Sequence, residues 1–261
     1  MEASTSSEGA LLAYEAIAPA YDDFTAHHNY ELWLGNLLPE LEKHGIPGRR
    51  LLDVACGTGK SFLPMLERGW EVTACDLSPS MIEIARSKVG DRVPLSVIDM
   101  RELPVLGEFD LCWCLDDAVN YLLEVEELEE ALSRMRRNLV DGGLLMFDVN
   151  TLESYKTFFS EEVALERGGK RMIWRGLTDP GIGPGGIAEA SLQVQPLDED
   201  APQIPPEVHR ERHYPEEVVR ATLERAGLEF LEVFGHHHDA VLHQPLSETA
   251  HAKAVYFARA A

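Results

Sequence analysis

The sequence predicts an α/β fold in which helices flank a doubly wound, mostly parallel sheet. The run Arg50–Ala55 is short, apolar and bounded by turn residues, as expected of a strand buried on both faces. Cys56-Gly57-Thr58-Gly59 follows at once and opens a helical pattern from Ser61 to Arg68. Further strand patterns recur at Trp70–Asp76, Val93–Ile98, Phe109–Leu115 and Leu144–Val149, with helical patterns between them.

Open sheets of this kind bind ligands at the C-terminal ends of their strands. The glycine turn therefore marks a site for something small and partly anionic, held by the amides that open the helix. A dinucleotide fingerprint would place a third glycine at position 62, where Phe62 stands. A phosphate-cradling loop needs four residues between its glycines before Lys-Ser. One residue separates Gly57 from Gly59, so Lys60-Ser61 does not make a nucleotide triphosphate site.

Asp53-Val54-Ala55-Cys56-Gly57-Thr58-Gly59, followed by the acid of Cys75-Asp76-Leu77-Ser78, resembles the class I S-adenosylmethionine-dependent methyltransferases. The resemblance covers residues 11–150 well and the C-terminal strands more loosely. It implies a Rossmann-like sheet of seven strands in the order 3-2-1-4-5-7-6, the last antiparallel. It also implies S-adenosyl-L-methionine as cofactor and S-adenosyl-L-homocysteine as product. On this basis residues 1–45 are expected to form a helical lid, 46–150 the cofactor-binding core and 214–261 its completion. Residues 151–213 are left as an added β insertion that caps the substrate or forms a dimer contact.

The resemblance also implies roles. Asp53, Ala55, Cys56, Gly57 and Gly59 would meet the amino-acid tail of the cofactor. Asp76 would accept hydrogen bonds from both ribose hydroxyls, since one carboxylate can satisfy a vicinal diol. Leu77 or Met81 would flank the adenine, and Asp99, Met100, Arg101 and Leu115 would complete its surroundings. Asp99-Met100-Arg101 is similar to the corresponding stretch of amino-sugar N-methyltransferases. Tyr14–Asp22 resembles the N-terminal lid of small-molecule methyltransferases and offers Tyr14 and Tyr21 to cofactor and acceptor. Tyr30 and Trp33 are further candidates for the cofactor pocket, although Trp33 and Phe24 equally suit a core. Cys114-Leu115-Asp116-Asp117-Ala118-Val119-Asn120-Tyr121 looks like a group of bacterial small-molecule methyltransferases. It lacks the Asn/Asp-Pro-Pro-Tyr/Phe tetrapeptide of nucleic-acid and protein amide methylases. Asp116, Asn120 and Tyr121 are expected at the reaction face, with Asn120 alternatively a helix cap.

Composition narrows the partners. A formal charge of −22 over 261 residues, without a basic cluster, argues against a nucleic-acid substrate. Cys56, Cys75, Cys112 and Cys114 lack metal-ligand spacing and fall on or beside buried strands, as reduced core thiols would. Residues 1–9 lack the regions of a signal peptide, and no apolar stretch approaches membrane-spanning length. A cytoplasmic location, no membrane partner and a possible homodimer are the resulting expectations.

Elsewhere, Leu34, Leu37, Leu38 and Leu41 recur at helical spacing and should pack on the sheet. Ser78-Pro79 reads as an N-cap with proline in the first helical position. Val125, Leu128, Leu132, Met135 and Leu139 give an amphipathic helix broken by Asp141-Gly142-Gly143. Tyr214–Ala226 reads as a last helix, and Leu228–Phe234 and Ala254–Ala258 as the closing strands. Within the insertion, Arg171–Leu177, Ala188–Val194 and Val208–Tyr214 alternate like antiparallel strands. His209, Glu211 and His213 would share one strand face, and Arg210 and Arg212 the other. His27-His28 reads as a solvated pair, and His236-His237-His238-Asp239 as a surface loop with no metal. The expected activity is methyl transfer to a small acceptor by in-line displacement, with an amine nitrogen preferred to an oxygen. A non-catalytic cofactor-binding protein is the alternative from another class.

Overall fold

The structure, a computed structural model, describes residues 6–198, 205–237 and 240–261. The N-terminal segment holds α1 (Ser6–Ile17), α2 (Tyr21–Phe24) and α3 (Tyr30–Lys43). The core alternates β1 (Arg50–Val54), α4 (Leu63–Glu67), β2 (Glu71–Asp76), α5 (Pro79–Val89), β3 (Leu95–Val97), β4 (Phe109–Cys114), α6 (Val125–Arg136) and β5 (Leu139–Asn150). After α7 (Leu152–Lys156) come β6 (Glu162–Arg167), β7 (Lys170–Gly176), β8 (Ile187–Pro196) and β9 (Glu207–Arg212). The chain closes with α8 (Glu216–Arg225), β10 (Leu228–His236), β11 (Leu242–His243) and β12 (Lys253–Ala260).

The main sheet runs β11-β10-β12-β5-β4-β1-β2-β3. Strands β3, β2, β1, β4 and β5 are parallel, while β12 inserts antiparallel between β5 and β10. The fold is a mixed α/β, Rossmann-like sheet, with eight strands rather than the expected seven. The extra one, β11, pairs only two residues, Leu242 and His243, with the end of β10. Two residues are too few for alternation to register in a sequence.

Alternation along the parallel strands builds two cores, one per face. Leu52, Val54, Cys112, Cys114, Leu145 and Phe147 face α6 and α8, where Leu128, Leu132, Met135, Val219 and Leu223 are buried. Leu51, Leu111, Trp113, Leu144 and Met146 face the other way, onto Leu34, Leu37 and Leu41 of α3 and onto α4 and α5. Truncating one of these leucines to alanine removes about 2–5 kcal/mol in a packed core. All four cysteines are free and buried.

Local chemistry sets the helix ends. Asn29 caps α3 by accepting the Leu32 amide at 3.0 Å. Ser78 caps α5 by accepting the Met81 amide at 3.0 Å, with Pro79 first in the helix. Glu124 and Glu127 form a reciprocal capping box on α6. That helix stops at Arg136, short of the expected Leu139. Leu139 instead begins β5 beside Phe109, and a register shift absorbs Asp141-Gly142-Gly143 before Leu144. The apolar spacing of Leu139 suits either element, and sheet pairing decides it.

The second sheet, β6-β7-β8-β9, is antiparallel throughout. Its inner face carries Met172, Trp174, Ala188, Ala190 and Leu192, packed with Ile17, Ala18, Met81, Tyr155 and Phe159. The sequence suggested three strands there and missed β6. Five of the six β6 residues are exposed and none is fully buried, so no apolar alternation marks it.

Candidate active site

The turn after β1 is held in a conformation that favours glycine. Gly57 and Gly59 take φ of 53° and 86°, and Ala55 takes 59°. A Cβ on Gly59 would lie 2.6 Å from Phe62 Cζ. Gly59→Ala should therefore cost about 1–3 kcal/mol of stability from strain and crowding. Urea denaturation reads this directly; a loss below about 0.5 kcal/mol would show that the turn does not need its glycine.

Asp76, at the end of β2, is tied to that turn. Its carboxylate accepts the Gly57 amide at 2.7 Å and the Ser78 amide at 2.8 Å. Burial pushes its carboxyl up to about 6, against the pull of those amide bonds. Around it lies a small cavity of about 80 Å³, lined by Ala55, Gly57, Asp76, Leu77, Asp99, Met100, Arg101 and Leu115 and roofed by Ala10 and Tyr14 of α1. Hydrogen bonds hold α1 and α2 over this end of the sheet. Ser7 Oγ donates to Asp99 at 2.5 Å, Glu15 accepts the Ser80 amide at 3.0 Å, and Thr58 donates to Asp22 at 2.5 Å. Lys60 Nζ donates to the Thr25 carbonyl at 2.6 Å, so it serves the N-terminal segment and not a phosphate.

A larger cavity of about 470 Å³ lies between the main sheet, the N-terminal helices and the second sheet. Tyr14, Tyr21, Asp116 and Tyr121 line both cavities. These four side chains form the junction shared by the two cavities.

Buried charge surrounds the junction. Lys253 of β12 donates to Asp116 at 2.9 Å, to Asp148 at 2.9 Å and to Asp117. Asp148 accepts the amides of Asp116 and Asp117 at 2.6 and 2.9 Å, holding both residues at positive φ. His28 Nδ1 lies 3.0 Å from Asp116, and the Tyr30 hydroxyl 3.3 Å. Burial works against the Asp116 charge, yet Lys253 and His28 hold that carboxyl well below its usual range. Asp116 in turn raises His28. Burial, reinforced by Asp116 and Asp148, pushes Asp117 up to about 6 despite Lys253.

On the far wall, the Tyr14 ring lies 5.3 Å from that of Tyr121, whose hydroxyl lies 2.7 Å from His209 Nδ1. Burial lowers His209 to about 4, which keeps the ring neutral and the Nδ1 lone pair free to accept. Glu211, two residues along β9, is raised well above its usual range by burial and then by Asp117.

Several expected site residues lie elsewhere. Asp53 is buried behind the glycine turn and accepts the Ser61 hydroxyl at 2.6 Å, with burial pushing it up to about 7. Cys56 is buried, Gly59 packs on Phe62, and Met81 lies in the core under α1; none lines either cavity. Tyr30 and Trp33 line the larger cavity instead of the smaller one. Asn120 does not face the junction, nor does it cap a helix. Its Nδ2 donates to the Arg212 carbonyl at 2.7 Å and its Oδ1 accepts the Asn150 amide at 3.0 Å, pinning the turn after β4 to both sheets. His28 is not a solvated side chain but an Asp116 partner. His236 packs on Trp33 at 5.1 Å and lines the larger cavity with His237, whereas His238 and Asp239 lie outside the described residues. Among the described residues no cluster of three or more His, Cys, Asp or Glu is arranged to hold a metal ion.

The sequence did not point to Asp117, Asp148, Lys253 or His28, and it left open which one of residues 209–213 on the last insertion strand enters the pocket; His209 and Glu211 do. For Lys253 a signal existed: it opens the apolar run Lys253-Ala-Val-Tyr-Phe, which is otherwise all core. A lysine there needs a buried partner.

The lining of the smaller cavity carries the chemistry that an adenosyl amino acid would need. Gly57, at positive φ, opens space beside the strand end, a carboxylate stands at the next strand, and Met100 and Leu115 supply apolar walls. Residues 51–143 match a family model described as a methyltransferase domain. A protein of Geobacillus sp. (strain WCH70) bearing a provisional methyltransferase name is 33% identical over 156 residues, 58% of this chain and 63% of that one. The dTDP-4-amino-2,3,4,6-tetradeoxy-D-glucose N,N-dimethyltransferase of Saccharopolyspora spinosa is 34% identical over 98 residues, 38% of this chain and 39% of that one. An S-adenosylmethionine-dependent methyltransferase from Clostridium acetobutylicum shares the fold with a TM-score of 0.76 at 21% identity, over 94% of this chain and 98% of that one. The chain thus carries a match to a methyltransferase domain over residues 51–143, within a fold that it shares with an S-adenosylmethionine-dependent methyltransferase. It spans about three fifths of the length of two of the curated relatives it matches. Among the described residues no helix is long and apolar enough to cross a membrane.

Proposed function

We propose that the protein methylates an amine nitrogen of a small-molecule acceptor held in the larger cavity. The observation that carries this reading is the junction: Tyr14, Tyr21, Asp116 and Tyr121 wall both chambers at once. When bound, S-adenosylmethionine supplies a methyl group activated by its sulfonium. In this reading Ala55, Gly57, Asp76, Leu77, Asp99, Met100, Arg101 and Leu115 hold it, with Asp76 on the ribose diol.

The chain's own contribution is alignment, electrostatics and proton handling. Confining the nitrogen at the junction, in line with the sulfur–methyl bond, converts encounter into an intramolecular event. The oxygens of Tyr14 and Tyr121 stand where positive charge disperses, and fixed dipoles there favour it without reorganising. The amine must attack as the neutral base. Asp117, with its carboxyl near 6, accepts the proton that the ammonium form gives up. Asp116, pinned by Lys253 and His28, stays ionised and draws the cation in. The Saccharopolyspora relative is named for dimethylating an amino group, which supports nitrogen over oxygen.

The test is transfer of radiolabelled methyl across a panel of amines, phenols and carboxylic acids. Turnover confined to phenols or acids would refute the amine assignment. Tyr121→Phe should lower kcat by about 10–100-fold while leaving S-adenosylhomocysteine affinity unchanged. An unaltered kcat would remove Tyr121 from the reaction.

A further inference from the structure

Cavity walls restrict which amine can enter. Phe158 and Trp174 stack at 4.5 Å with an interplanar angle of 13°, and Phe24 lies 6.3 Å from Trp174 at 27°. These three rings cover one another's faces, and with Tyr30 and Trp33 they line part of the chamber with aromatic side chains. Walls of this kind accommodate flat rings and organic cations.

Glu211 lines the same chamber and is 1% exposed. Its Oε2 accepts Asn150 Nδ2 at 2.8 Å and the Tyr155 hydroxyl at 3.2 Å, and both donors are uncharged. Asp117, Tyr14 and Tyr121 add negative or neutral neighbours, while Lys253 is already shared among three carboxylates. A buried acid in this setting lacks a counter-ion. A second polar group on the wall is also unfilled. His209 Nδ1 takes the Tyr121 hydroxyl, and its Nε2, also buried, has no partner.

The lining also excludes a class of ligand. Among the described residues Lys253 is the sole Lys or Arg on the wall, and it is committed to Asp116, Asp117 and Asp148. A diphosphate entering this chamber would meet carboxylates without a free cation to bind it.

We infer that the acceptor is a ring-bearing organic amine without phosphate, admitted as a cation whose counter-ion is Glu211. This rests on the methyltransferase reading and specifies its acceptor. The inserted strand β9 thus supplies recognition, while the turn after β4 supplies proton transfer. Binding an ammonium ion beside Glu211 ionises the carboxyl and releases a proton to solvent.

The test is calorimetry of the full chain with S-adenosylhomocysteine, then with 2-phenylethylamine on the saturated complex, in two buffers of different ionisation enthalpy at pH 7. Amine binding should release protons as the carboxyl ionises, seen as a buffer-dependent heat. Glu211→Gln keeps the acceptor oxygen for Asn150 and Tyr155, so it should fold and bind S-adenosylhomocysteine normally. It should bind the amine at least about tenfold more weakly and without buffer dependence. Thymidine diphosphate should not displace the amine. Absent amine binding, displacement by thymidine diphosphate, or an unaffected Glu211→Gln variant would each overturn the inference while leaving cofactor use intact. Failure of the wild-type chain to bind S-adenosylhomocysteine would instead overturn the methyltransferase reading, and the inference with it.

Discussion

Lys253→Met is expected to destabilise the protein by about 3–5 kcal/mol at pH 8, because it strands buried carboxylates without their cation. Asp116, Asp117 and Asp148 all converge on the ammonium, and Asp148 is completely buried. Methionine fills a similar volume, so the loss reports charge and not packing. The deficit should depend on pH with a definite sign. Asp117 already stands near 6 with the lysine in place. Without it, the folded-state pKa rises further above the unfolded value. An acid shifted upward costs stability as pH climbs from the unfolded value through the folded one. The penalty should therefore be largest at pH 8 and shrink towards pH 5 as the proton is taken up. Urea midpoints of both proteins at pH 8 and 5.5 would show it. An equal deficit at the two values, or one under about 1 kcal/mol, would mean the three carboxylates do not depend on Lys253.

Asp76→Ala should weaken S-adenosylmethionine binding by about 10–100-fold, from the loss of charge-assisted hydrogen bonds worth roughly 1.5–3 kcal/mol. The substitution also frees the Gly57 and Ser78 amides that Asp76 accepts, so circular dichroism should accompany the titration. The pH dependence separates the two roles. Burial raises the carboxyl to about 6, so the ionised form that accepts a diol is present above that value and lost as pH falls through it. Wild-type affinity should decline below pH 6, and the alanine variant should show a flat profile there. Equal affinities at pH 7.5, in a variant that remains folded, would mean the ribose does not sit at Asp76.

What could be read in advance divides according to sequence separation. The glycine turn and the acid of β2 are contiguous signals, and each places its own backbone. The alternation of Leu51 with Leu52, and of Cys112 with Trp113, likewise assigns two sheet faces without tertiary information. The charge network at the junction has no such local trace. Lys253 lies 137 positions from Asp116, and His28 lies 88 from it. Only sheet pairing of β12 with β5, and the fold of the N-terminal segment, bring them together. Asn120 fails for the opposite reason. It stands beside Asp116 and Tyr121 in the chain, but its amide is spent on Arg212 and Asn150. Neighbours in sequence along a tight turn point in different directions, and a pattern of residue types does not say which. The missed β6 and the two-residue β11 share another cause: neither buries enough apolar surface to show a period.

Tyr14 projects from α1 into both chambers, while Ser7 and Glu15 of the same helix bond the core at Asp99 and Ser80. One rod thus lines the two compartments, so a displacement of it alters both together. A substitution that loosens its ties at Asp99 or Ser80 is expected to disturb the two chambers at once.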